Sequence, residues 1–295
     1  MDSETIEKTR KAGKITAEAV AFARGIVKKD MLLLELAEKI EHFIRSQGAQ
    51  PAFPVNLSIN EVAAHATPSY DDQSVAHGLL KVDIGVHLDG FVGDTAFTVD
   101  LEHSAEGKKL IEAAEAGLAA ALAEIKLGSS TQALGGVIEK AIKHHGVVPI
   151  NNLTGHSIEP WEVHAGISIP NHAAGSDTIL EEGVYAIEPF TTTGAGSVRD
   201  GKASGIYHLL RAAQVRDSNA RLVLGFIRER YHQLPFCSRW IHKEFGAKGL
   251  LGLKMIERSG ALYHFPQLIE RSNAKVAQAE HTVIITKKGV EVVTL

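Results

Sequence analysis

The dipeptide Asp89-Gly90, set between the alternating runs 82–88 and 91–97, constrains this chain more than any other feature. Asp-Gly tolerates the two positive φ angles of a two-residue hairpin turn, whose twist matches that of the strands it joins. Such a turn dictates register, with Leu88 opposite Phe91, Gly85 opposite Asp94 and Asp83 opposite Ala96. Because side chains alternate, Asp83 and Asp94 then share a face as diagonal neighbours, roughly 7 to 8 Å apart at the backbone. Gly85, opposite Asp94, leaves room on that face for an ion. The other face carries Val82, Ile84, Val86 and Leu88 and reads as core. Two aspartates turned the same way on an apolar ribbon are costly if buried unpaired, so a cation is expected beside them. Left in water they are the polar face of an edge hairpin, and the ribbon alone does not choose between the two.

Three residues downstream bear on that choice. Glu188 ends the apolar run 184–190, and Pro189 both holds it extended and stops the ladder. Glu280 lies inside the β-prone run 276–285, with Gln278 and Thr282 on its face, a position where a glutamate is more often solvated than functional. His156 follows Gly155 in what reads as a polar turn. Four carboxylates and a neutral imidazole make an oxygen-and-nitrogen donor set suited to divalent Mn, Fe, Co or Zn. Crowded together without metal they would raise one another's pKa values, so metal should stabilise the fold as well as activate it.

The chain has 295 residues, 44% hydrophobic and 22% charged, enough to bury a large core. Its single cysteine, Cys237, excludes an intramolecular disulfide and a thiolate zinc cluster and suits a reducing compartment. The polar, acidic start has no apolar signal core, and no apolar run reaches membrane-spanning length, so a cytoplasmic location is expected.

Helices are expected up to about Gln47, the second carrying Leu33, Leu36, Ala37, Ile40, Phe43 and Ile44 on one buried stripe. After the hairpin the order recurs, with Ile111, Ala114, Leu118, Leu122 and Ile125 on one stripe and Leu134, Val137, Ile138, Ala141 and Ile142 on the next. Strands bearing His156 and Glu188 follow. Periodicity by itself indicates an α+β fold of two similar halves. From about 198 to 270 the character changes: residues 199–271 hold thirteen Lys and Arg against six Asp and Glu, a net +7, leaving −11 for the remainder. Helices are expected there over 220–231, 238–245 and 250–259, then a short extended run at 261–264, an order that resembles a winged helix.

The segments PAFPVNLSINE at 51–61, residues 82–95, GHSI at 155–158, HAG at 164–166, AIEPF at 186–190 and QAEHT at 278–282 together resemble the signature of the type II methionine aminopeptidases, in the short archaeal form. The resemblance runs from end to end and includes a long insertion between the two glutamates. It implies a pita-bread fold, a curved antiparallel sheet backed by helices, with a catalytic part at 1–197, a helical insertion at 198–270 and the last catalytic strands at 271–295. It implies a dinuclear metalloaminopeptidase that removes the N-terminal methionine from nascent proteins and peptides with a small second residue, by a hydroxide activated between two divalent ions (Co, Mn, Fe or Zn). Asp83, Asp94, His156, Glu188 and Glu280 would be the metal ligands, Asp94 and Glu280 bridging, with Glu188 also taking the proton from water. His65 and His164 would be the non-ligand catalytic histidines and would join Phe53, Val163 and Phe190 in lining the methionine pocket. Two departures stand out: Ala279 where the family pattern suggests Phe, and Phe265 where it often has a pocket tyrosine. The expected partners are nascent N-termini and, through the basic insertion, ribosomal RNA. No DNA or membrane partner is expected, and the chain is expected to be a monomer.

Overall fold

Two helices precede the hairpin and cover its back. In the computed structural model, which describes residues 1–174, 177–211 and 214–295, α1 spans Ser3–Ile26 and α2 spans Leu33–Ser46. Asp2 caps α1, its carboxylate accepting the Thr5 N–H at 2.8 Å. In α2 the residues Leu33, Leu36, Ala37, Ile40 and Ile44 are buried, with Phe43 half-buried beside them. They pack with Leu80, Val82, Ile84 and Val86 from the rear face of the strand Leu79–Leu88. Each such leucine or isoleucine contributes about 1.5–3 kcal/mol of hydrophobic burial.

The hairpin has the expected register, with Leu88 opposite Phe91, Gly85 opposite Asp94 and Asp83 opposite Ala96. Asp89 and Gly90 carry φ of 51° and 89°, the pair of positive angles that a two-residue turn needs. The strand Asn56–Ile59 pairs with the other edge of Leu79–Leu88 and sets Asn56 opposite Asp83.

The order of elements then repeats. Helices α3 (Ala105–Glu124) and α4 (Thr131–His144) are capped by the Ser104 and Ser130 hydroxyls, which accept the N–H groups of Gly107 and Ala133. They cover a sheet in the order Gly289–Val292, His281–Thr286, Gly183–Ile187, Thr154–Ile158 and Ser168–Pro170. The stripe of α3 is turned slightly from expectation: Leu110, Ala113 and Ala121 are buried, whereas Ile111 and Leu122 are half-buried. Small residues on that face, Gly117 among them, let α4 come close, and Ile111 and Leu122 lie at its margins while Leu110, Leu118 and Ile125 stay buried.

Side chains rather than a continuous ladder join the two halves. Thr282 Oγ1 donates to the Asp94 carbonyl at 2.7 Å, Thr98 Oγ1 to the Gln278 carbonyl at 2.7 Å and Thr95 Oγ1 to the Glu280 carbonyl at 2.5 Å. Beside them the Glu280 N–H donates to the Ala96 carbonyl at 3.0 Å, and elsewhere Trp161 N–H donates to Gly90 O at 2.9 Å and Val276 N–H to Asn60 O at 3.0 Å.

Strands Val198–Leu209 and Leu262–Glu270 form a long antiparallel ribbon whose outer edge pairs with Val62–Ala64. Between them, α5 (Ser218–Arg230) and α6 (Ser238–Arg258) pack around Val223, Ile227, Ile241, Leu253 and Ile256. The two helices expected over 238–245 and 250–259 are both present within α6, parted by a break at Gly246, where φ is 62°. The short extended run expected at 261–264 is instead the nine-residue strand Leu262–Glu270, lengthened by partners that lie far away in sequence. Arg239 ties this region to α2. Its guanidinium donates to both Glu41 oxygens, at 2.9 and 2.8 Å, and to the Pro68 carbonyl at 3.1 Å, and Trp240 Nε1 donates to Glu41 at 2.8 Å. No helix among the described residues is long and apolar enough to cross a membrane.

Candidate metal centre

Each acid reaches the centre by way of the strand that carries it. Asp83 and Asp94 project from the hairpin on the face opposite α2, as period-two alternation requires. Glu188 and Glu280 sit where two adjacent chains pass from one sheet to another. Ile187 pairs with His281 in the five-stranded sheet, Phe190 pairs with Gln278 in the next sheet, and the residues between belong to neither ladder. Pro189, with no N–H to donate, helps break the ladder at Glu188. The run around Glu280, which reads as one strand, is two, Val276–Gln278 and His281–Thr286, with Ala279 and Glu280 as the step between them. His156 lies in the strand Thr154–Ile158, opposite Ala186 and Ser168, as the order of elements leads one to expect and unlike the polar turn that Gly155 suggests.

These residues converge on a cavity of about 230 Å³. Asp83, Asp94, His156, Glu188 and Glu280 line it, as do His65, His164, Phe53, Val163 and Phe190. Asp94, His156 and Glu280 offer ligand atoms within 4.8 Å of one another. His156 Nε2 stands 3.4 Å from Glu188 Oε1 and 3.9 Å from Asp94 Oδ2. The strand Val198–Leu209 and the segments around Pro235 and Phe265 close the opposite wall, through Ile206, Pro235, Phe265 and Leu268.

The electrostatics of the cavity call for a cation. Burial raises the Asp83 carboxyl to about 7. Burial and then the neighbouring Asp83 push Asp94 well above the usual carboxylate range. Burial, reinforced by the other acids, does the same to Glu188 and Glu280. Burial, with His164 beside it, pushes His156 well below the usual imidazole range, so the ring is neutral and able to ligate. No Lys or Arg lines the cavity among the described residues, and Asp83 Oδ1 and Asp94 Oδ1 are buried without a hydrogen-bond partner. Orphaned carboxylate oxygens, a neutral imidazole and no protein cation fit a divalent metal.

Gly85 does not leave empty space for the ion, contrary to expectation. The Phe53 ring fills it: a Cβ on Gly85 would fall 2.2 Å from Phe53 Cε1. Glycine there seats the ring of the cavity wall. His65 takes φ 57°, an uncommon angle for a residue other than glycine, and its ring meets Phe265 edge-on with centroids 5.1 Å apart. Burial pushes its pKa down to about 4, so it stays neutral. His164 meets the His156 ring at 4.3 Å. Phe265 is therefore a packing partner of His65 in the wall, and Ala279 is buried in the core behind the second half.

Three further residues support this neighbourhood, of which only Gln278, on the face of Glu280 and within the segment 278–282, is marked out in the sequence. Gln278 Nε2 donates to Glu280 Oε2 at 3.3 Å, and Asn171 Nδ2 donates to the Glu188 carbonyl at 3.1 Å, steadying both glutamates from behind. Asn56 lines the cavity opposite Asp83. It lies within the segment 51–61, yet nothing in its spacing sets it apart.

The family model for metallopeptidase family M24 matches residues 7–287. The chain belongs to this family. It is 44% identical over 294 residues to the methionine aminopeptidase of Methanothermobacter thermautotrophicus, covering 98% of each chain. With that of Pyrococcus abyssi it shares 46% identity over 294 residues, 98% of this chain and 99% of the relative. It is thus a member of the archaeal-type methionine aminopeptidases, metallopeptidases that use divalent metal. Among solved structures, the methionine aminopeptidase from Rickettsia prowazekii superposes with a TM-score of 0.71 at 22% identity, covering 100% and 98% of the two chains. A thermophilic Arx1 gives 0.85 at 15% identity, covering 99% and 91%. Prolidase from Pyrococcus furiosus gives 0.65 at 19% identity, with 100% of this chain covering 64% of that one. At such identities the likeness is one of fold, and the fold is the pita-bread α+β arrangement that the sequence suggests.

Proposed function

We propose that this chain is a type II methionine aminopeptidase, which hydrolyses the first peptide bond of nascent proteins and peptides that begin with methionine followed by a small residue. One observation carries the reading: buried, unpartnered carboxylate oxygens converge with a neutral histidine in a chain about as similar over its whole length to archaeal methionine aminopeptidases as 44% identity describes. Asp94, His156 and Glu280, with Asp83 and Glu188 beside them, would hold two divalent ions; Co, Mn, Fe and Zn all suit the donors. Such ions, when bound, supply Lewis-acid polarisation of the scissile carbonyl and a water of lowered pKa.

The remaining chemistry belongs to the chain. Glu188, half-freed from its strand and held by Asn171 through its carbonyl, is the acceptor for the proton that the attacking water must lose. His65 and His164, both lining the cavity, are donors for the developing oxyanion and the leaving nitrogen. Phe53, Val163 and Phe190 give the methionine side chain an apolar slot that excludes water. Residues 198–270 serve as an appended wall, contributing Ile206, Pro235, Phe265 and Leu268 to the cavity.

The deciding experiment is anaerobic purification, metal analysis and metal add-back while turnover is followed on Met-Ala-Ser and on an Ala-Pro peptide. Release of methionine alone is the expected result. Release of alanine would identify an X-Pro hydrolase, and no release from metal-loaded protein would identify a non-catalytic binder. The net +7 of residues 199–271 supports electrostatic contact with ribosomal RNA near emerging chains, by a monomer in the cytoplasm. Ribosome association that is indifferent to salt, or to charge reversal at Arg221, Arg228 and Arg258, would remove that part of the reading.

A further inference from the structure

Asn56 and Asp83 are directly opposed across the pairing of Asn56–Ile59 with Leu79–Leu88, and both line the cavity. Opposed residues carry their side chains on the same face, with Cβ atoms roughly 4.5–5.5 Å apart. Asn56 is 6% exposed. Its amide nitrogen donates to the Pro54 carbonyl at 2.9 Å, which decides how the amide is turned, since the reverse orientation would set two oxygens against each other at that distance. Its oxygen is thus committed to the other side, where it has no hydrogen-bond partner among the described residues. Asp83 Oδ1 is in the same condition. Once Asp83 is ionised, two buried acceptors on opposed residues are tolerable only if something beside them supplies donors or positive charge.

A metal ion answers the charge of Asp83, but a neutral amide oxygen adds little to a centre that already holds four carboxylates. The amide oxygen suits a group that brings several N–H bonds. We propose that Asn56 Oδ1 accepts a hydrogen bond from the free α-amine of the incoming methionine, and so makes the site read an unblocked N-terminus. This rests on the aminopeptidase reading above and names a specificity residue for it. A peptide whose amine is absent or acylated offers this oxygen one N–H at most, and forfeits the contact.

The test compares wild type, Asn56→Ala and Asn56→Asp, the last of which keeps an acceptor at the same reach. Binding of methioninamide and of its des-amino counterpart, 4-(methylthio)butanamide, is measured by calorimetry on Mn²⁺-loaded protein. Mn²⁺ affinity and the kinetics on Met-Ala-Ser are measured alongside, with circular dichroism as the check on folding. Loss of one such hydrogen bond in Asn56→Ala should cut the preference for the amine-bearing ligand about tenfold and raise KM by a similar factor, with kcat within about threefold. Asn56→Asp should restore the preference, and Mn²⁺ affinity should stay unchanged in Asn56→Ala. An unchanged amine preference in folded Asn56→Ala overturns the inference. A fall in Mn²⁺ affinity that accounts for the whole rise in KM overturns it too, since the oxygen would then serve the ion. Because amine preference is read by binding, wild-type protein that binds methioninamide without cleaving peptide would sink the proposed function and still leave Asn56 decided.

Discussion

The ring of Phe53 lies directly over Gly85, so close that a methyl group added to the glycine would stand 2.2 Å from Cε1 of the ring. Phe53 is also a wall of the cavity that holds the metal ligands. Backbone room at one strand position therefore sets the shape of the substrate slot. Gly85→Ala should drive the ring toward the cavity at an overpacking cost of about 1–3 kcal/mol. The expected outcome is a drop of about tenfold or more in kcat/KM on Met-Ala-Ser, recovered in part by adding Phe53→Leu. Wild-type kinetics in Gly85→Ala would show that the ring does not define the slot.

His156→Ala and Glu188→Ala should each lower turnover by orders of magnitude while leaving the circular dichroism spectrum unchanged, since both side chains face the cavity. Near-normal rates in either variant at saturating metal would remove the role assigned to that residue.

Metal should matter more to stability as pH rises. Without a cation, the folded protein holds a proton on Asp83 up to about 7, whereas the unfolded chain releases it near its ordinary 3.8, and Asp94, Glu188 and Glu280 are shifted the same way. The folded state binds more protons than the unfolded one across that window, so metal-free stability falls as pH climbs from about 4 toward 7. Metal displaces those protons and removes the penalty. The rise in Tm on adding Mn²⁺ to chelator-treated protein should be larger at pH 7.5 than at pH 5.5, and equal rises would contradict this account.

Arg239→Ala should strip Glu41 of its two charged hydrogen bonds and leave a buried carboxylate, at a cost of about 3–5 kcal/mol. Replacing both partners, as in Glu41→Leu with Arg239→Met, should recover most of that loss, because the desolvation of two charges disappears with them. Urea unfolding of the two single variants and the double variant measures the coupling directly. Additive losses would show that the pair does not act as a unit.

Local chemistry made much of this protein legible without coordinates. A two-residue Asp-Gly turn admits one register, and a period of two then obliges Asp83 and Asp94 to share a face. The stripe of α2 is readable for the same reason: a helix repeats its contacts every three to four residues. Glu188 could be recognised as a strand-end acid because Pro189 acts on its immediate neighbour.

Long-range packing decided the rest. Nothing near Gly85 announces that Phe53 will cover it, and nothing near Asn56 announces that Asp83 will stand opposite. The step at Ala279-Glu280 reads as continuous strand because every residue there suits a strand. It becomes a step only when Ala96 and Thr95, far back in the chain, claim the Glu280 backbone N–H and carbonyl. Sequence pattern can determine which face a residue takes on its own element, since that depends on neighbours a few positions away. Which surfaces meet, and which polar atoms are left facing a cavity without partners, is determined only when segments two hundred residues apart are packed together.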